Sequence, residues 1–169
     1  MEWPTLEHEQ ALQQHLEAGR IALPGTQPVQ EGIERFKALF AELSVANVGE
    51  RLEQTYAADI YFNDTLATIR RREALLHYLQ ETASQVEHSS ARVLQVYPGE
   101  HDVLLRWQMV IRFRKMARRR DTFSIGASQL AFDSEGRIVI QQDYWDAAQG
   151  LFQYLPLIGF LVRKIRARF

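Results

Sequence analysis

The chain has no cysteine among its 169 residues, which excludes disulfide bridges, a thiolate nucleophile and any cysteine-ligated metal site. It has no excess of charge of either sign. A formal net charge of −1 gives no general pull toward nucleic acid or acidic partners. It also has no long apolar run: the longest, Tyr154 to Val162, is about half of the roughly 18 residues needed to cross a bilayer. The opening Met1-Glu2-Trp3-Pro4, followed by Glu7 and Glu9, lacks the basic-then-apolar pattern of a secretory signal, so a cytoplasmic protein is expected. Internal repeats and low-complexity linkers are absent too. What remains, 46% hydrophobic and 24% charged residues, suits one globular domain with a real core.

Periodicity places the elements. Thr5 to Ala18 reads as a helix capped by Thr5, although His8 stands where a capping box wants Glu or Gln. Gly19 and Pro24-Gly25 interrupt it. A second helix runs from about Pro28 to Leu43, with Ile33, Phe36, Phe40 and Leu43 at helical spacing. A third runs from Val48 to Tyr56, with Leu52 and Tyr56 on one face. After a short strand, Ile60 to Asn63, a helix from about Ile69 to Val86 is expected, capped by Thr68, with Ala74, Leu75, Leu79 and Ala83 inward. Four strands follow: Ala91–Tyr97, Val103–Lys115, Asp121–Phe132 and Arg137–Trp145, joined by short turns. Helices first and a meander after them predict an α+β fold, a curved antiparallel sheet with the helices on its concave face. The expected divisions are a helical extension over 1–27, the main domain over 28–147, and an apolar, basic segment over 148–169.

The last strand ends in Gln142-Asp143-Tyr144-Trp145-Asp146. Side chains alternate along a strand, so Asp143 and Trp145 share one face. A carboxylate on the inner side of a sheet is costly unless it is paired or hydrogen-bonded.

This strand, with the earlier Tyr56-Ala57-Ala58-Asp59-Ile60-Tyr61-Phe62-Asn63-Asp64, resembles the nuclear transport factor 2-like superfamily. That superfamily includes ketosteroid isomerases, SnoaL-like polyketide cyclases and limonene-epoxide hydrolases. The resemblance covers roughly residues 30–160 and is nearest in motif to the epoxide hydrolases. It implies a cone-shaped fold with a deep apolar pocket, a small apolar ligand, no cofactor, and a homodimer formed through the sheet. Residue by residue it implies that Asp143 activates water and that Arg106 stands beside it. The family's proton-donating acid falls at Gln108, which cannot deliver a proton. Phe62 and Asp64 fall where the family holds its water, while Tyr61 and Asn63 fit only with a one-residue shift that would turn them to the other face. The isomerase base falls at Asp64, but that family's oxyanion donors map to Phe40 and Ser128.

Two readings of Val103–Phe113 stay open. Val103, Leu105, Trp107, Met109, Ile111 and Phe113 form an apolar face, which by default is core and leaves Arg106 in solvent. The resemblance instead implies that Arg106 and Gln108 line the pocket. The expected site is thus Asp143, Arg106 and Asp64 as catalytic groups, with Gln108, Tyr61, Phe62, Asn63 and Trp145 binding substrate. Asp143, held by Arg106, would be the charged base, and Asp64, in apolar surroundings, the protonated acid. A binding module without catalysis is the alternative.

The five histidines, His8, His15, His77, His88 and His101, show no ligand spacing, and no metal is expected. Arg112, Arg114, Lys115, Arg118, Arg119 and Arg120 read as a solvated hairpin rather than a nucleic-acid contact. The final segment carries Leu151, Phe152, Leu155, Ile158, Phe160 and Leu161 ahead of Arg163, Lys164, Arg166 and Arg168. It reads either as a cover over the pocket mouth or the partner's sheet, or as a peripheral anchor on an anionic membrane.

Overall fold

The structure, a computed structural model, describes residues 4–115 and 120–147. Helix α1 (Glu7–Glu17) has no side-chain cap, so Thr5 does not play that part; Glu7 and Glu9 in its first turn supply charge that suits the helix dipole. Helix α2 (Gln27–Ala41) carries Pro28 in its first turn and buries Val29, Ile33, Phe36 and Leu39. Helix α3 (Val45–Thr55) is capped by Ser44, whose Oγ accepts from the Asn47 backbone N–H at 3.2 Å.

Strand β1 (Tyr56–Asn63) begins earlier than the sequence predicts. Tyr56, expected on the third helix, opens the strand instead and is fully buried. The two-residue strand β2 (Thr68–Ile69) pairs with β1, so Thr68 is not a helix cap. Its Oγ1 accepts from Asn63 Nδ2 at 2.7 Å. Helix α4 (Arg72–Ser84) starts after it and buries Leu75, Leu79 and Ala83, while Ala74 is exposed.

The meander is β3 (Val86–Pro98), β4 (Val103–Phe113), β5 (Asp121–Phe132) and β6 (Ile138–Trp145), each antiparallel to the next. The sheet order is β2-β1-β6-β5-β4-β3. The fold is α+β, with one departure from a wholly antiparallel sheet: β1 runs parallel to β6. Register shifts in the β1–β6, β3–β4 and β5–β6 pairings, the last leaving Val139 of β6 as the extra residue, mark bulges, which bend strands and curve a sheet.

Helices α2, α3 and α4 pack on one face of this sheet around Phe36, Leu39, Leu52, Tyr56, Leu75, Leu105, Leu130 and Phe132. Helix α1 does not join them. Its Ala11 and Leu12 pack on the opposite face against Ala57, Tyr61, Ala131, Val139 and Ile140. Arg20, just past α1, pairs with Asp59 of β1 at 2.6 Å and ties the extension down. At the β5–β6 turn Gly136 stands at φ 71, a left-handed position suited to glycine, and its carbonyl accepts from Arg35 at 2.6 Å.

At the base of the β4–β5 hairpin Arg112 makes two bonds to Asp121, and Arg114 donates to the Ser84 carbonyl. Arg118 and Arg119 lie outside the described residues, as does the apolar, basic segment 148–169. No helix among the described residues is long and apolar enough to cross a membrane.

Candidate functional site

Between α2, α4 and the curved sheet lies a cavity of about 330 Å³, bordered by Phe36, Phe40, Phe62, Tyr78, Trp107 and Met109 among others, with Asp64 and Asp143 on its wall. This is within the size range of small-molecule sites. Strand alternation explains which residues reach it. Along β4 the apolar set Trp107, Met109, Ile111 and Phe113 faces the cavity.

Arg106 and Gln108 therefore point to the other side, where both are exposed. The expectation that they line the pocket is corrected by this two-residue period, and Arg106 is not the partner of Asp143. Phe62, Asp64, Asp143 and Trp145 do border the cavity, as the sequence predicts. Tyr61 and Asn63 do not. Tyr61 is buried on the opposite face against α1, beneath the Arg70 guanidinium 5.2 Å away. Asn63 braces the sheet end, giving Nδ2 to Thr68 and accepting from Gln142 Nε2 at 3.1 Å.

What holds Asp143 is a set of neutral donors. Ser128 pairs across β5 and β6 with Asp143, and its Oγ donates to Oδ1 at 2.6 Å. Gln141, two residues before and hence on the same face, donates from Nε2 to Oδ1 at 3.0 Å and Oδ2 at 3.1 Å. Behind these stands a second rank: Tyr56 donates its hydroxyl to Gln141 Oε1 at 2.7 Å, and Trp107 donates Nε1–H to Ser128 Oγ at 2.9 Å. Every proton in this chain points toward Asp143. Oδ1 accepts two of these bonds and Oδ2 only one, so Oδ2 keeps the freer lone pairs.

Gly126 makes the Trp107 position possible. A Cβ there would lie 2.5 Å from the Trp107 ring and 2.8 Å from Trp145 Cβ. The indole thus lies across β5 where a side chain is missing, and its N–H reaches Ser128.

Burial pushes the Asp143 carboxyl up to about 7; the Ser128 and Gln141 bonds oppose this, and the charge of Asp64 adds to it. Asp64 sits in a tight turn. Its Oδ1 accepts from the Leu66 and Ala67 backbone at 3.0 and 2.9 Å, and its Oδ2 takes the Tyr78 hydroxyl. Burial first, and then Asp64, raise the Tyr78 hydroxyl well above its ordinary value. The expected roles are thus altered. With Arg106 on the far face, no cation among the described residues holds Asp143 ionised, and burial raises its proton affinity.

Sequence reasoning passed over Gln141, Tyr56 and Trp107 as site residues and met Ser128 only as a mismatch. Gln141 was open to the alternation argument. Ser128 and Trp107 needed the register, and Tyr56 needed the parallel β1–β6 pairing. Among the described residues no three histidine or acidic side chains converge as a metal site would require.

Comparison with known proteins places the scaffold. The SnoaL-like domain matches residues 33–140, which ends just short of Gln141 and Asp143. An LEH-like epoxide hydrolase from M. tuberculosis superposes with a TM-score of 0.59 at 15% identity, over 83% of this chain and 96% of that one. A putative SnoaL-like polyketide cyclase from Shewanella denitrificans OS-217 gives 0.58 at 16% identity, over 70% and 92%. An NTF2-like protein of unknown function from Exiguobacterium sp. 255-15 gives 0.58 at 13% identity, over 68% and 98%. At these identities the likeness is one of fold. No curated protein matches the sequence.

Proposed function

The chain belongs to the SnoaL-like domain family, and we propose that it is a cofactor-independent acid–base enzyme acting on a small, largely apolar molecule held in the cavity. The observation that carries this reading is Asp143: a carboxyl group in an apolar cavity, fixed by two donors and pushed up to about 7. A group that titrates near the working pH can both take and return a proton.

That property favours isomerase- or cyclase-type chemistry over epoxide opening. A single carboxylate that removes a proton and gives it back needs no second acid. Epoxide opening needs a separate proton donor, and Gln108 neither carries a proton to give nor faces the cavity. A carbon-acid exchange assay tests the reading without knowledge of the substrate. Small apolar ketones in D₂O should incorporate deuterium faster with the protein, and Asp143→Asn should lose about 10²- to 10⁴-fold of that rate. No exchange and no turnover across the panel, or equal rates in the variant, would sink it.

One observation supports the non-catalytic alternative. The Trp107 N–H, Trp145 N–H and Tyr78 O–H are each given to a protein acceptor, so none is left over for a developing oxyanion. Ligand binding without exchange is the outcome that favours it.

The opposite sheet face supports a homodimer. Phe123 and Ile125 of β5 are 62% and 66% exposed there, across from Val110 and Gln108 of β4. A second copy meeting this face would bury them. Sedimentation should then show a dimer for the native chain and a monomer for Ile125→Asp; a native monomer overturns the proposal.

A further inference from the structure

Asp64 and Asp143 both border the cavity, and among the described residues no cationic side chain turns its charge into it. Lys37 is on the wall, but its ammonium bonds Glu34 at 2.6 Å, and Glu34 is 70% exposed. The charge is therefore drawn out to solvent while the alkyl stem lines the rim. Among the described residues the donors that serve the two carboxylates are neutral: Ser128, Gln141, Tyr78 and the Leu66 and Ala67 backbone. Negative charge in low-dielectric surroundings, with no counter-ion among the described residues, attracts a cation more strongly than it would in water.

The walls around these carboxylates are aromatic. Trp107 is joined to Asp143 through Ser128. Trp145 is two residues from Asp143 on the same face and donates to the Asp64 carbonyl at 2.7 Å. Tyr78 bonds Asp64, and the Phe62 ring stacks edge-on to Tyr78 with centroids 6.1 Å apart. Ring faces attract organic cations through their quadrupole, and they do so without the hydration that a small metal ion would demand.

From this juxtaposition we infer that the cavity takes an organic cation, a protonated or quaternary amine. Its nitrogen meets Asp143 among the rings, and its apolar remainder lies along Phe36, Phe40, Met109 and Ile111. The inference rests on the reading of this cavity as the ligand site and names its ligand class. A wholly apolar ligand would leave the inner charge unanswered. A carboxylate or phosphate ligand would meet like charge at the far end.

Probes that share one tail test it: n-octyltrimethylammonium, n-octanol and octanoate, followed by quenching of tryptophan fluorescence. The titratable groups facing Asp143 are Asp64, Tyr56 and Tyr78, with Lys37 at the rim. At about pH 8.5 the native protein should bind the ammonium about tenfold or more tighter than octanol, and octanoate most weakly. The advantage should shrink several-fold by about pH 5.5 as Asp143 takes a proton, and Asp143→Asn should remove most of it. Octanol binding as tightly as the ammonium at high pH overturns the inference and leaves the cavity as a ligand site. An ammonium preference that survives both acid and Asp143→Asn also overturns it. Binding of none of the three overturns the ligand-site reading and the inference together.

Discussion

The Tyr56 hydroxyl donates to Gln141 Oε1 at 2.7 Å, and by doing so decides which end of that amide faces Asp143. A tyrosine from the first long strand thus sets the polarity of a donor chain that ends on the last. With Oε1 taken, Nε2 must point at the carboxylate. Tyr56→Phe frees the amide to turn and leaves a buried acceptor unmet, a loss of about 1–3 kcal/mol of stability. Its expected mark on the site is a higher titration midpoint for Asp143, followed by carboxyl carbon NMR. A midpoint unchanged in a folded variant would show that the amide is held by something else.

Ser128→Ala removes the 2.6 Å bond to Oδ1 and the acceptor of the Trp107 N–H. Hydrogen bonds to a charged group are worth about 1.5–3 kcal/mol, so the midpoint should climb by roughly one to two units. In an exchange assay the rising limb of the rate against pH should move up by the same amount. Ser128→Thr, which keeps the hydroxyl, should move it far less.

Asp143 also links stability to pH, and the sign is fixed by the direction of its shift. Its carboxyl titrates at about 7 in the folded chain against 3.8 ordinarily, so the native state binds the proton more tightly. The stabilising contribution is present in full below about pH 4, falls as pH rises, and is gone above about 7. The loss amounts to at most about 4 kcal/mol. Urea unfolding of the native chain and Asp143→Asn across this range isolates the effect, because the other carboxylates cancel in the difference. The native chain should lose stability relative to the variant as pH rises. A flat difference would mean that Asp143 is not desolvated.

Gly126→Val should displace Trp107. The first added carbon would stand 2.5 Å from the indole and 2.8 Å from Trp145 Cβ, with strand backbone holding both. A cost of about 1–3 kcal/mol is expected, with a shifted tryptophan emission and loss of the bond to Ser128. Native emission and native stability together would show that the ring has room to spare.

Much of this was legible in the sequence. The α+β class, the meander and its turns followed from periodicity, and the alternation of β6 put Asp143 and Trp145 on one face. The same alternation was available for β4. There the choice of face turned on a family correspondence, which set Arg106 and Gln108 inward against the wholly apolar Trp107, Met109 and Ile111 set. Hydrophobic patterning was the better guide. Tyr56 escaped because its spacing from Leu52 is helical, and a helix running straight into a strand leaves no turn residue to mark the boundary. The donor chain to Asp143 escaped because it links β1, β4, β5 and β6, and local sequence carries no record of which strands are neighbours.

The order of strands has a consequence for how the chain assembles. Strand β6 is the last to be synthesised among the described elements, yet it lies between β1 and β5. A nascent chain that ends before Ile138 has its helices and the β3–β5 hairpins but two unpaired edges where the centre of the sheet will be. Closing that gap joins Asn63 to Gln142, a contact between distant parts of the chain that carries a large loop-closure cost. Only then do Asp64 and Asp143 come together. Any chain that has not yet closed this gap is therefore free of the like-charge repulsion and the buried carboxyl that burden the finished site.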